Sequence, residues 1–478
     1  MISRFLLTIA STLIFLVVSS QKKQQLSPNK QAILKSIENQ QDQAIRLSDI
    51  IWETAETAMK ETMSSNLLAD YADMHGFKIT KNVAQIPTAF IAEYGSGRPI
   101  IGIMGEFDAL PGLSQKASPV KEALEPGAAG HGCGHNMFGV GSLAAAVAIK
   151  ELIEAGKLKG TIRFYATPAE EDVGGKIYMA RAGLFNDLDV CLDWHPGYET
   201  AASNQSSQAM VSYLFEFNGK SAHAASDPWN GRSALDAAEL FSTGINFLRE
   251  HVKPSVRMHY VYKEAGNVPN VIPDKASVWL WIRDSRRKGV AAVEERVFDI
   301  AKGAALMAGV KQESRLLSGD YETLVNEEGA RLLNSNLQLI DSIKYTPEEI
   351  EFGKKIMKEA GLEYAGFKSA PKPLEPTKAD PEGGSTDVAD VSWVVPEISL
   401  IVTTTPNQAP WHSWVVVACG GMSIGHKGML YAAKGLALTM VDLFENEKVR
   451  QEIRKEFETK KGNEIWKALL PDGPPPQQ

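Results

Sequence analysis

The chain has 478 residues, which at about 100 to 200 residues per domain allows two or three domains and excludes a lone small module. Lys plus Arg number 50 against 58 Asp plus Glu, a net charge of −8, and no basic block is present to neutralise a phosphate backbone, which argues against a nucleic-acid partner. Hydrophobic residues at 44%, charged residues at 23% and 39 glycines exclude a disordered, collagenous or multi-span membrane chain, and three cysteines cannot build a disulfide framework.

In chain order, the first segment is Met1-Ile2-Ser3-Arg4, one positive charge leading into an apolar run over residues 5–18 that closes on Ser19-Ser20. That run is short for a membrane span and ends on small residues, so it predicts a secretory signal peptide over residues 1–20, ahead of an uncleaved anchor. The mature protein is then exported, periplasmic or extracellular, with no stable membrane insertion after cleavage. Residues 31–75 carry apolar side chains at helical spacing (Ile33, Ile37, Ile45, Ile50, Ile51) and predict one or two opening helices. Strand-like and helix-like segments then alternate over 99–104, 139–155, 161–167, 176–185 and 190–194. Such alternation predicts an α/β catalytic domain, a mostly parallel sheet with helices on both faces, whose ligands sit beyond the carboxyl ends of the strands.

The rhythm changes between residues 208 and 321, where strand, helix, strand, strand, helix and strand follow one another. This β-α-β-β-α-β order predicts an inserted ferredoxin-like α+β lid and dimerisation domain. The expected boundaries are 30–206 for the first part of the catalytic domain, 207–321 for the lid and 322–470 for the second catalytic part. The Pro-rich stretch 371–384 reads as a surface loop, with a linker as its rival. The tail 471–478, with four prolines in eight residues, reads as disordered.

Four short segments concentrate the chemistry. Gly105-Glu106-Phe107-Asp108 places two carboxylates just past an apolar strand. His131-Gly132-Cys133-Gly134-His135 offers a thiolate and two imidazoles separated by glycines that let the backbone turn; a Gly-rich helix entry around a buried Cys is the bland alternative. Pro168-Ala169-Glu170-Glu171-Asp172 sets three adjacent acids at a strand end, which repel unless a cation offsets them. Neighbouring glutamates can divide labour, one binding metal and the other acting as general base to water. Asp193-Trp194-His195-Pro196 presents a histidine at the same edge, while Cys191 within that strand reads as a small core residue. Later, His223 sits in a small-residue turn of the inserted domain, and His412 and His426 compete as a last ligand. His75, His251 and His259 lack acidic or cysteine neighbours and read as structural.

Taken together, G-E-F-D-A-L-P-G, H-G-C-G-H-N, P-A-E-E, D-W-H-P, G-K-S-A-H-A-A, N-V-P-N-V-I-P-D, G-S-T-D-V and W-H-S-W resemble the dinuclear metal aminoacylase and carboxypeptidase family. The likeness is to its Cys-containing amidohydrolase branch, which includes the aminobenzoyl-glutamate hydrolases and related dipeptidases, and it runs from about residue 33 to 443. The resemblance implies that Cys133, His135, Glu171, His195 and His412 bind two divalent metal ions. It implies that Glu170 is the general base, His223 a lid histidine reaching the active site of a partner chain, and Asn270 and Arg283 lid residues holding the substrate carboxylate. Asp108 matches the acid that orients a ligand, whereas Glu106 stands where many relatives have His or Asp and has no assigned role. The thiolate favours zinc and the remaining ligands also tolerate manganese. The implied activity is hydrolysis of the amide bond of an N-acyl amino acid, aminobenzoyl-glutamate or a dipeptide among the options, by a homodimer or a heteromer. The rival reading, a metal-containing binding protein without catalysis, gives no reason for Glu170 beside Glu171.

Overall fold

The computed structural model describes residues 26–381 and 383–476. The apolar run assigned as a signal peptide lies outside the described residues, as do the last two positions of the tail.

Ser27 caps the first helix through its hydroxyl and Pro28 starts it, giving α1 (Pro28–Thr54), whose stripe Ile33, Ile37, Ala44, Leu47 and Ile51 is buried. Then come α2 (Thr62–Met74), β1 (Lys78–Lys81), β2 (Phe90–Ser96), β3 (Ile100–Gly105), α3 (His135–Glu154), β4 (Gly160–Ala166), α4 (Gly175–Arg181), β5 (Val190–Gly197) and β6 (Glu199–Ala202). The inserted unit is β7 (Ala209–Asn218), α5 (Ala234–Leu248), β8 (Arg257–Glu264), β9 (Lys275–Asp284), α6 (Arg287–Ala308) and β10 (Lys311–Asp320). The chain closes with α7 (Glu327–Leu337), α8 (Pro347–Glu359), β11 (Lys368–Pro371), α9 (Val388–Ser392), β12 (Glu397–Thr403), α10 (Trp414–Gly420), α11 (Ser423–Glu445) and α12 (Glu447–Lys461).

The larger sheet has the order β1-β2-β4-β3-β5-β12-β6-β11. Its centre, β4-β3-β5-β12, is parallel, and antiparallel pairs flank it at β2-β4 and β12-β6. Strand alternation explains why both faces are covered. Ile101, Ile103, Ile162, Phe164, Val190, Leu192 and Trp194 join the cluster formed with α1, α3 and α11. Met104, Tyr165 and Cys191 point the other way, into the cluster containing α4 and α9 residues such as Ile177 and Val391. Helix α3 is long and apolar enough to cross a membrane, yet 89% of its apolar window is buried, so it is a core helix.

The four-stranded sheet has the order β10-β7-β9-β8, antiparallel throughout, with α5 and α6 packed on it around Phe215, Phe217 and Phe241. The expected α/β class with an inserted ferredoxin-like unit therefore holds. Three short strands add to the expected sheet, and one local expectation changes. The short strands β1, β6 and β11 join the sheet although their four-residue sequences are too brief to show a period. The described part of the tail is held: Arg181 donates to the carbonyls of Pro471 and Gly473 at 3.0 and 2.5 Å, and Leu470 beside them is buried.

Candidate metal centre

The parallel strands β3, β4, β5 and β12 end at one edge, and each feeds a segment that carries a donor. Strand β3 delivers Glu106 and Asp108, β4 leads to Glu170 and Glu171, β5 carries His195, and the chain beyond β12 returns with His412. Cys133 and His135 sit at the start of α3, where Gly134 has φ 78° and a Cβ would press against Pro196 at 3.0 Å. Only glycine fits that turn without strain. The loop 411–413 docks there too, because the His412 backbone N–H donates to the Gly132 carbonyl at 3.1 Å.

Among the described residues, three groups of donor atoms gather, each within 4.8 Å: Cys133, His135 and His195; Cys133, Glu171 and His412; and Glu106, His135 and Glu170. The first two share the Cys133 sulfur, which lies 3.4 Å from His195 Nε2. His195 Nδ1 donates to the Pro196 carbonyl at 2.7 Å, which leaves the Nε2 lone pair facing the sulfur. His412 Nε2 lies 3.4 Å from Glu171 Oε2. Asp108 does two things: one oxygen takes His135 Nδ1 at 2.9 Å, and the other accepts the Glu171 backbone N–H at 2.9 Å. Among the described residues, the buried oxygen Glu171 Oε1 finds no hydrogen-bond partner, nor does His135 Nε2 beyond its 2.9 Å ion contact with Glu106. Orphaned buried donors around a shared sulfur are what a cation site requires, and this set fits divalent ions of the zinc or manganese kind.

The electrostatics follow from burial and crowding. Burial pushes the Cys133 thiol up to about 12, against the pull of His135. Burial lowers His195 to about 4. Burial alone would also lower His135, but Cys133, Glu106 and Asp108 outweigh it and raise the imidazole well above its usual value. Burial, followed by the charges of Glu106, Asp387 and Glu171, lifts the Glu170 carboxyl well above the carboxylate range. Glu171 rises to about 7, chiefly through burial.

Several expectations need correction or placement. His131 is not among these donors: it is fully buried and turns away, with Nε2 3.0 Å from the Ile51 carbonyl. His426 pairs with Asp49 at 2.8 Å instead, which leaves His412 at the cluster. His223 and Asn270 lie together on the inserted unit, exposed, joined through the Ala224 N–H to Asn270 carbonyl bond of 3.0 Å, and neither belongs to the donor groups. Arg283 stacks near Trp281 and donates to Ser385 at 2.9 Å, on the loop between β11 and α9.

Four participants have no assigned role in the sequence reading. Glu61 accepts the Ala169 N–H at 2.9 Å and the Thr88 hydroxyl at 3.0 Å, pinning a residue whose φ is 61° directly before Glu170. Trp411 donates its indole N–H to the Cys133 sulfur at 3.2 Å. Lys176 and Asp387 form a buried pair at 2.7 Å beside Glu106. Trp411 and Asp387 fall in the W-H-S-W and G-S-T-D-V motifs, whereas the lone Glu61 and Lys176 leave no local signal.

A mostly parallel sheet whose carboxyl edge collects a thiol, three imidazoles and paired glutamates has the donor set of a metal-dependent hydrolase. The profile of Peptidase family M20/M25/M40 matches residues 102–415, and the chain belongs to that family, whose members hydrolyse amide or peptide bonds. It is 36% identical to one of the p-aminobenzoyl-glutamate hydrolase subunits of Escherichia coli over 462 residues, covering 91% of this chain and 96% of that one. It is 30% identical to the Xaa-Arg dipeptidase of Homo sapiens over 435 residues, covering 87% and 88%. Among solved structures, an aminobenzoyl-glutamate utilization protein from Klebsiella pneumoniae superposes with a TM-score of 0.62 at 18% identity, over 86% of this chain and 98% of that one. A dinuclear metal-binding peptidase from Bacillus subtilis superposes with a TM-score of 0.58 at 18% identity, over 85% and 99%.

Proposed function

We propose that this chain is an exported, metal-dependent hydrolase of N-acyl amino acids, with p-aminobenzoyl-glutamate and dipeptides as its first candidate substrates. The observation that carries the reading is the Cys133 sulfur shared between two donor triads, Cys133/His135/His195 and Cys133/Glu171/His412. A shared thiolate suits two divalent ions, zinc favoured by the sulfur and manganese tolerated by the imidazoles and carboxylate. Bound there, the cations supply Lewis-acid polarisation of the amide carbonyl and make water acidic enough to react near neutral pH.

The chain's own residues do the rest. Glu170, whose environment favours holding a proton, takes one from water as the water oxygen bonds to the carbonyl carbon. It returns that proton to the amide nitrogen as the C–N bond breaks, releasing amine and carboxylate. Asp108 keeps His135 in the tautomer that presents Nε2, and Glu61 fixes the turn from which Glu170 projects. His223 donates to the developing oxyanion, and Arg283, with Asn270, receives the substrate carboxylate. Since His223 and Asn270 stand on the exposed lid, this reading calls for a second chain whose lid reaches over. The edge strand β8 exposes Val261 and Tyr262, a surface suited to a partner lid. A homodimer is the first choice, and an unlike partner is the alternative, since the Escherichia coli relatives carry the names of two different subunits of one hydrolase. Export rests on the charged start and apolar run of residues 1–20.

The test is amine release from aminobenzoyl-glutamate, N-acetyl amino acids and dipeptides, after chelation and after adding back zinc or manganese. Cleavage restored by metal and lowered about 10²- to 10⁴-fold in Glu170→Gln at unchanged metal content is expected. Full turnover by Glu170→Gln sinks the assigned base, and cleavage indifferent to chelation sinks the metal.

A further inference from the structure

Lys176 has no part in the chemistry just described, yet it is fully buried at the edge of the donor set. Its Nζ lies 2.6 Å from Glu106 Oε1 and 2.7 Å from Asp387 Oδ1. Asp387 Oδ2 accepts the Lys176 backbone N–H at 2.9 Å, so the lysine is held at both ends by one residue. Burial alone would lower its pKa, but Asp387, Glu106 and Glu170 outweigh it and keep the ammonium charged. Glu106 stays ionised in the same way, with Lys176 and His135 overcoming its burial.

One carboxylate is enough to neutralise a buried ammonium, and Asp387 already supplies it. Glu106 is therefore a second buried anion, costly unless it has another partner. Its two oxygens are divided. Oε1 is on Lys176, while Oε2 faces His135 Nε2 at 2.9 Å, the ring nitrogen opposite the one that Asp108 engages. Among the described residues, Oε2 and Nε2 find no hydrogen-bond partner apart from each other, and both are buried. Glu106, His135 and Glu170 bring their donor atoms within 4.8 Å of one another.

We propose that Lys176 is a positioning residue of the metal centre: by clamping one oxygen of Glu106 it holds the other toward His135 Nε2, so that Glu106 stands in the ligand field of a cation bound there. The inference rests on the metal-centre reading above. It gives Glu106 a role that its sequence position does not. Without Lys176, nothing clamps Oε1, and Glu106 loses the orientation that aims Oε2 at His135 Nε2. The expected consequence is weaker and altered metal binding, not only a less stable fold.

The experiment is a cobalt(II) titration of the chelated full chain, read at the thiolate-to-cobalt charge-transfer band and the d–d bands. Lys176→Met is expected to shift the d–d bands and weaken binding about tenfold. Glu106→Gln is expected to do the same, and the double variant is expected to do no more than Glu106→Gln alone. Glu106→Asp guards against a folding defect: it keeps the charge for Lys176, shortens the reach by one methylene, and is expected to shift the bands in a folded protein. The inference is overturned if Lys176→Met and Glu106→Asp both show the wild-type spectrum with affinity within about twofold, whatever happens to the melting temperature. A wild-type chain that gives no charge-transfer band removes the metal-centre reading itself, and this inference with it.

Discussion

Cys133, Glu171 and His135 hold protons that a cation must displace. Burial keeps the thiol at about 12 and Glu171 at about 7, and neighbouring anions keep His135 protonated well above its usual range. Ligation needs a thiolate, a carboxylate and a neutral imidazole, so metal uptake releases protons and affinity rises with pH. The sign is fixed by these raised values: below pH 7 Glu171 adds its proton to the count, and above it the thiol proton remains. Affinity is expected to rise at least about tenfold per pH unit between pH 6 and 8, with a steeper rise in the lower half. Calorimetric titration of the chelated protein in two buffers of different ionisation enthalpy counts the protons directly, and uptake without proton release contradicts the thiol as a ligand. At this scale, the residues legible in the sequence are those whose neighbours announce them. Cys133 sits between two glycines with His135 just beyond the second, Glu170 and Glu171 are paired, and His195 closes an apolar strand. Glu61 reaches Ala169 across 108 positions and Lys176 reaches Asp387 across 211, so nothing local marks them.

The distance between Glu106 and His135 is set by how closely two elements approach. Helix α3 lies on β3 at Gly105 and Gly139, where a Cβ on Gly105 would sit 2.8 Å from the Gly139 Cα and one on Gly139 would sit 2.8 Å from the Glu106 carbonyl. These nearest atoms are backbone, so the backbone must move to accept a methyl group. Gly139→Ala is therefore expected to cost about 1–3 kcal/mol of stability by overpacking. Because the displaced backbone is that of Glu106 and of the helix that opens with His135, metal affinity in the folded protein is expected to fall about tenfold, or ~1.4 kcal/mol. Thermal melting together with metal titration well below the melting temperature checks both; unchanged affinity in a destabilised protein means the approach serves packing alone. The elements that carry the donors were legible because parallel strands buried on both faces are apolar along their length, as in Ile100 to Met104 and Val190 to Leu192. The marginal strands β1, β6 and β11 were not: Lys78–Lys81 is K-I-T-K, and only its antiparallel pairing with β2 makes it a strand.

At the scale of the whole molecule, the chain presents an assembled donor cluster in one unit and an exposed His223 and Asn270 in the other. The ferredoxin-like unit was legible because each of its six elements is long enough to show its own period. Its orientation relative to the cluster was not, since Arg283 meets Ser385 through contacts that span 102 positions. If His223 acts on the partner's centre, two separately inactive variants complement one another. Glu170→Gln lacks the base but keeps its lid histidine, and His223→Ala keeps the base but lacks the histidine. Mixed in equal amounts and allowed to exchange protomers, they form heterodimers in about half of the pairs, each with one intact centre out of two. The expected activity is about a quarter of the wild-type rate at equal total protein, appearing only after exchange. A histidine serving its own chain gives no recovery, because neither variant then carries a complete centre. Recovery that instead requires a separately added unlike chain, with neither variant active in its absence, assigns the lid's partner to a heteromer.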